Sequence, residues 1–292
     1  MLIKTKYDLQ TTVYDLMSAI YDSQNMRLNI VMSKTQKELA FLHDLYVAPV
    51  WTERFTGILD ENFKFASKKK ILYVNAGTGN HAIELHRKLN KDAQFRTYGA
   101  DTELNAIAQA KAGIVDANIN FSSDLPHETF DAVLADASLI QSKNLPDFLE
   151  QVINLSSNQV AFFLPTAGSF GEIFSFLWET FFGLNILDNS VEIERLITDI
   201  PTVSKVEELA TSFGLTTLET VTKTEFFEFE NGTGFINSPL VESFLLPVWL
   251  EFLNEREKER VCQKLAQTID ADDGTLTFRF SIKATLVVGE KS

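Results

Sequence analysis

The stretch from Ile71 to Leu85, ILYVNAGTGNHAIEL, constrains this chain more than any other. A short apolar run enters a glycine turn, and Ala82, Leu85 and Leu89 then recur at helical spacing. The pattern predicts a strand, a tight turn and a helix. Glycines in such a turn let backbone N–H groups come close to a ligand, and the helix start adds the positive end of its dipole. Further on, Phe95 to Ala100 reads as a second strand ending at Asp101. A carboxylate there can accept hydrogen bonds from both hydroxyls of a ribose. In strand–helix–strand order, turn and carboxylate together point to a nucleoside-type ligand. The plainer alternative is a structural turn beside a solvent-exposed aspartate.

The same alternation continues. Thr102 caps a helix through about Ala112, and Asn118 to Phe121 is a weak third strand. Phe130 to Ala135 is a fourth. A helix from about Leu145 to Leu155 leads to a fifth, Gln159 to Leu164, stopped by Pro165. Strands alternating with helices mean a parallel sheet covered on both faces. The end of the chain differs. Leu276, Phe278, Phe280, Ile282, Ala284, Leu286 and Val288 alternate with polar residues, which marks a strand with one buried face, antiparallel and near the sheet edge. A helix over about Val203–Phe213 and a strand over about Thr216–Phe229 precede it.

Residues 1–66 read as an N-terminal helical extension or lid, with Leu9, Val13, Leu16, Met17 and Ile20 on one helix. Trp51, Phe55, Ile58 and Leu59 lie on another, divided by Pro49 from the one before. Residues 67–292 form the α/β domain, with Phe-rich helical insertions at about 168–199 and 231–273. These insertions and the N-terminal helices are placed to cover a site at the carboxyl ends of the strands, though plain helix packing explains them equally well.

The net charge of −14 argues against nucleic acid, whose binding draws its affinity from neutralised phosphates. The one short basic run, Lys68 to Lys70, reads as a solvated strand entrance. A single cysteine, Cys262, excludes an intramolecular disulfide and a thiolate metal cage. The N-terminus lacks the apolar core of a signal peptide, and no run approaches the ~18 apolar residues of a membrane span. The expectation is a cytoplasmic protein with a small-molecule substrate. His43, His81, His86 and His127 lack metal-ligand spacing and read as surface or packing residues. Tyr7, Tyr14 and Tyr21 read as a packing stripe.

Gly77-Thr-Gly79-Asn-His-Ala82 satisfies the dinucleotide pattern G-x-G-x-x-G/A, which keeps a nicotinamide or flavin ligand open. The residues also resemble the class I S-adenosylmethionine-dependent methyltransferases. The likeness runs from about Lys70 to Leu164, through the strand ending FRTYGAD at Asp101 and the segment DLPHETFDAVLAD from Asp124 to Asp136, and returns at the last strand. It implies a Rossmann-like, doubly wound sheet of seven strands with the last antiparallel, and S-adenosylmethionine as cofactor. Gly77 and Gly79 would then turn around the methionine part, Asp101 would take the ribose hydroxyls, and Thr102 would sit beside the adenine. Asp124 and Leu125 would flank the adenine, and Ala135 and Asp136 would lie near the sulfonium. Two positions depart from the family. Tyr73 stands where an acidic residue usually helps orient the methionine amino group, and Asn75 stands where the first glycine is usual; both count as cofactor-site positions. The implied function is methyl transfer to a small lipophilic or aromatic acceptor, with no catalytic residue assigned; Asp136 or a lid histidine is the candidate base for a hydroxyl acceptor. The departures leave a catalytically inactive binding or scaffold protein as the alternative, and an NAD(P)-dependent oxidoreductase as the third.

Overall fold

The strands Lys70–Val74, Phe130–Asp136 and Ser156–Thr166 are buried on both faces, so the centre of the sheet has to be covered on both sides. The computed structural model of the chain describes residues 34–64, 70–89, 92–186, 190–272 and 277–291. The helix expected over Leu9 to Ile20, with Tyr7, Tyr14 and Tyr21, lies outside them. The chain divides into two units, Met1–Thr35 and Gln36–Ser292, and everything below concerns the second.

Helix α1 (Gln36–Leu42) runs through a π-helical stretch (His43–Thr52) into α2 (Glu53–Asn62). Then follow β1 (Lys70–Val74), α3 (Asn80–Lys88), β2 (Gln94–Tyr98), α4 (Thr102–Ile114), β3 (Asn120–Ser122), β4 (Phe130–Asp136), α5 (Leu145–Asn154) and β5 (Ser156–Thr166). The second half holds α6 (Gly171–Gly183), α7 (Ser190–Asp199), α8 (Val203–Ser212), β6 (Leu215–Phe229), α9 (Gly232–Ile236), α10 (Leu246–Trp249), α11 (Glu255–Asp270) and β7 (Phe278–Lys291).

The strands form one sheet in the order β3-β2-β1-β4-β5-β7-β6. The first five pair in parallel, and β7 is antiparallel to both β5 and β6. This is the expected Rossmann-like, seven-stranded arrangement. Strand order reverses at β1, which pairs with β2 on one side and β4 on the other. Ligands of such sheets bind in the crevice beyond the carboxyl ends of the strands at that point.

Alternate strand residues serve two cores. Leu72, Val74, Val133, Ala135 and Phe162 pack with Leu149 and Val152 of α5 and Val206 and Ala210 of α8. Ile71, Tyr73, Leu134, Ala161 and Phe163 join the larger core on the other face, with Trp51, Phe55 and the Phe-rich helices. Aromatic rings dominate that larger core. Phe227 and Phe280 stack across β6 and β7 with centroids 4.9 Å apart, and Trp51 stacks on Phe170 at 6.0 Å.

Both prolines read as breaks turn out otherwise. Pro49 does not divide two helices: the chain passes through it in the π-helical stretch. The wider π turn lets a helix continue past a ring that has no N–H and crowds the preceding turn. Pro165 does not stop β5, which continues to Thr166. There β5 pairs only with β7, because its pairing with β4 has ended at Phe163, so the missing N–H faces an unpaired edge. No helix among the described residues is long and apolar enough to cross a membrane.

Candidate functional site

The glycine turn lies at the point where strand order reverses. Asn75 donates its backbone N–H to Tyr98 O (2.8 Å) and adopts φ 56°, a left-handed conformation that asparagine tolerates better than most residues. Gly77 and Gly79 also have positive φ, at 57° and 83°. A side chain at Gly79 would meet Ala108 Cβ at 2.8 Å and the Phe121 ring at 2.9 Å, so this glycine lets α3 close against α4 and β3. At Gly77 a Cβ would meet His43 Cε1 at 3.0 Å. The His43 ring therefore stands against the turn, and its other neighbour is Phe244, edge-on at 5.9 Å.

A polar clasp holds His43 there. Lys111 of α4 pairs with Asp44 and also donates to Asn80 Oδ1 (2.7 Å) and Thr78 Oγ1 (3.4 Å). The residue beside His43 is thus tied to the α3 end of the turn. Burial lowers the His43 pKa to about 4, so the ring is neutral near pH 7. Its Nδ1 is buried without a hydrogen-bond partner.

Tyr73, in the position that would carry the acidic residue, is fully buried, and its hydroxyl lies 3.1 Å from His81 Nδ1. His81 Nε2 lies 3.2 Å from Asp60 Oδ1, and Lys88 donates to Asp60 Oδ2 (2.9 Å). A carboxylate can only accept, so Nε2–H donates to Asp60, and in the neutral ring Nδ1 is left to accept the Tyr73 proton. The hydrogen bond from His81 holds the Asp60 pKa down to about 2. Burial pushes the Tyr73 phenol well above its usual value. Tyr73 therefore supplies no charge to the turn. Asp136, at the end of neighbouring β4, is the carboxylate beside it, and Asn75 Nδ2 donates to the Asp136 backbone carbonyl (3.3 Å).

Desolvation raises the Asp136 pKa to about 6, against the backbone N–H of Ser138, which donates to Oδ1 at 2.8 Å, and the Ser138 hydroxyl. Ser138 Oγ in turn accepts from Trp51 Nε1 (2.9 Å). Ser138 and Trp51 line a cavity of about 150 Å³ beyond the carboxyl ends of β4 and β5. Ala137, Phe170 and Phe174 complete its buried floor, Phe244, Val248 and Trp249 form a wall, and Lys143, Arg195 and Glu251 stand at the exposed rim. Glu251 sits 3.2 Å from Lys143 and 3.9 Å from Arg195, and Asp199, also at the rim, sits 3.5 Å from Arg195, so the rim charges offset one another.

Asp101 caps α4: its Oδ1 accepts from the N–H groups of Glu103 (2.9 Å) and Leu104 (3.0 Å), which leaves Oδ2 for a ligand. Thr102 is exposed at the first position of that helix. Asp124 and Leu125 are exposed on the loop after β3, and Leu125 keeps 40% of its surface accessible. The Ala135 methyl is wholly buried in the core with Leu72 and Val74. Tyr73, Asn75, Gly77, Gly79 and Asp101 thus gather where β1 and β2 end, Asp124 and Leu125 lie along the sheet edge, and neither Gly77 nor Asp101 lines the cavity. Asp44, Lys111, Trp51 and Ser138 were not among the positions the sequence singled out for the site, and His43 entered it only as a lid histidine. A histidine on a helix carries no sequence signal of the turn it will rest on.

The sheet order, the antiparallel β7 and the glycine turn after β1 define the fold of the class I methyltransferases. Comparison with one solved structure agrees at that level of fold. The YcgJ protein of Bacillus subtilis superposes with a TM-score of 0.52 over 82% of this chain and 98% of that one, at 12% identity. Phosphoethanolamine N-methyltransferase 2 of Haemonchus contortus, solved with S-adenosylhomocysteine, gives 0.49 over 89% of this chain and 59% of that one, at 13% identity. No protein-family model and no curated protein matches the chain.

Proposed function

We propose that the protein binds S-adenosylmethionine across the ends of β1, β2 and β4 and transfers its methyl group to a small apolar or aromatic acceptor. The observation that carries this reading is the apolar, aromatic-walled cavity, placed on a class I methyltransferase fold one residue beyond Asp136. The residues at the turn suit the cofactor. Asp101 Oδ2 is left over for ribose hydroxyls, α3 begins without a side-chain cap, and His43 Nδ1 has no partner. Asp136 stands beside the position where β1 lacks its carboxylate. When bound, the cofactor supplies an electrophilic methyl on a sulfonium. The protein's part is alignment and exclusion of water, which Trp51, Phe170, Phe174 and Trp249 perform by walling the acceptor in.

A non-catalytic binding protein on the same fold is the second reading. It draws on the position of His43 against Gly77, which explains that glycine without a ligand. The assay that separates the two supplies methyl-labelled S-adenosylmethionine with a panel of small aromatic and lipophilic alcohols, amines and thiols. Val248→Trp, which fills the cavity, is expected to abolish label transfer while S-adenosylhomocysteine still binds. Binding of the nucleoside with no transfer to any acceptor by the wild type would favour the second reading.

A further inference from the structure

Strand β6 is the outermost strand on its side of the sheet and, at 15 residues, the longest. Its inner side pairs with β7 without a break from Glu219 to Phe229. A bulge lies just before Glu219, where Thr217 takes φ 50°. Among the described residues no strand pairs with its outer side. Alternate residues of an antiparallel strand turn their N–H and C=O groups away from the partner, so the outer side of β6 carries a row of backbone donors and acceptors. Proteins usually blunt such an edge with a short strand, a proline, or a lysine that repels its own kind. β6 is long and holds no proline, and its one lysine, Lys223, stands two residues from Glu225. Phe226 keeps 44% of its surface accessible, with the Arg279 guanidinium 4.7 Å from its ring.

We propose that β6 pairs antiparallel with β6 of a second copy of this chain, about a two-fold axis at Thr224. Thr224 is the midpoint of the unbroken stretch from Glu219 to Phe229. About that point the sequence is self-complementary. Lys223 falls opposite Glu225, Thr222 opposite Phe226 and Val221 opposite Phe227, each pair occurring twice. Opposite charges and aromatic–β-branched pairs are the combinations that stabilise neighbouring strands, and like charges face to face oppose them. Neighbouring centres do worse. An axis at Lys223 or Glu225 sets that charge against its own copy, and one at Thr222 sets Glu219 against Glu225. An axis at Val221 pairs Glu219 with Lys223 but runs at once into the bulge. Lys223 is free to make the new pair. Its side chain is 57% exposed and lies 2.9 Å from Glu225 of its own chain, and buried Glu225 has a second partner in Arg54 at 3.2 Å. Turning Lys223 to the second copy therefore strands no buried carboxylate. This surface is separate from the cofactor turn, and the inference stands without the reading given above.

Sedimentation equilibrium of the full chain tests the pairing, and a cysteine cross-link tests its register. The wild type is expected to sediment with the mass of two chains. Lys223→Glu places Glu opposite Glu225 at two positions and is expected to raise the dimer dissociation constant about tenfold or more. Its circular dichroism spectrum should match the wild type, which separates lost pairing from lost folding. Directly opposed residues of antiparallel strands have Cα atoms close enough for a disulfide. Thr224→Cys is therefore expected to give a covalent dimer under mild oxidation. Val221→Cys, whose two copies this register sets about 20 Å apart, is expected to give none. The wild type, with Cys262 alone, supplies the background. A monomeric wild type, a folded Lys223→Glu chain that dimerises as before, or a cross-link through Val221→Cys in place of Thr224→Cys would overturn the proposal.

Discussion

Replacing Trp51 with alanine is expected to cost about 3–5 kcal/mol of folding stability, the range for removing a large aromatic side chain from a core. Trp51 has no accessible surface. It stacks on Phe170 at an interplanar angle of 9°, lies 5.4 Å from both Phe55 and Phe227, and donates its indole N–H to Ser138. The substitution removes contacts to α2, to the N-cap of α6 and to β6 at once, and enlarges the cavity that Trp51, Phe170 and Ser138 line. Trp51→Phe keeps most of the packing and loses the hydrogen bond, so about 1 kcal/mol is expected for it. Denaturant titration at constant slope measures both. A loss below about 1 kcal/mol for Trp51→Ala would show that the aromatic core does not depend on this ring.

Asp136→Asn is expected to stabilise the protein at pH 7, by at most about 3 kcal/mol. The sign follows from linkage. The folded pKa is raised from the usual 3.8 to about 6, chiefly by desolvation. Between those values the folded state holds a proton that the unfolded state has released, so stability falls as pH rises from about 4 to 6 and stays reduced above. The asparagine does not ionise. Its advantage should therefore be full above pH 6 and gone below pH 4, as read by unfolding midpoints of both proteins across that range. Asparagine retains an oxygen for the Ser138 N–H, so local geometry should survive. A variant less stable than wild type at pH 7 would mean that the charged form of Asp136 is held by its partners more strongly than burial opposes it.

The wild type nevertheless keeps the aspartate, as expected where a carboxylate serves a ligand at the expense of stability. Its neighbour on β1, Tyr73, illustrates what the sequence carried and what it did not. The strand, the turn and Asp101 could be read directly, because period-two burial, glycine chemistry and a strand-ending carboxylate are local signals. The antiparallel β7 was equally legible from its alternating residues. The role of Tyr73 was not. Its hydroxyl finds His81 across the turn and Asp60 from α2, and that chain exists only once α2 has packed on the sheet. The sequence shows His43 only as a packing or surface residue for the same reason, since the turn it rests on is 34 positions away. Pro49 and Pro165 misled as breaks because what a proline costs depends on turn width and on which strand edge is paired, and neither is a local property.

The central claim is that the ends of β1 and β2 hold S-adenosylmethionine, and Asp101 tests it most directly. Asp101→Asn keeps Oδ1 for the cap on α4 and replaces Oδ2, the oxygen left for the ribose, with an N–H donor. Calorimetric titration of S-adenosylhomocysteine into wild type and variant, with NADH as control, is predicted to show saturable binding to the wild type, a loss of about tenfold or more in the variant, and no binding of NADH. Absence of S-adenosylhomocysteine binding by the wild type, or equal binding by Asp101→Asn, would contradict the account.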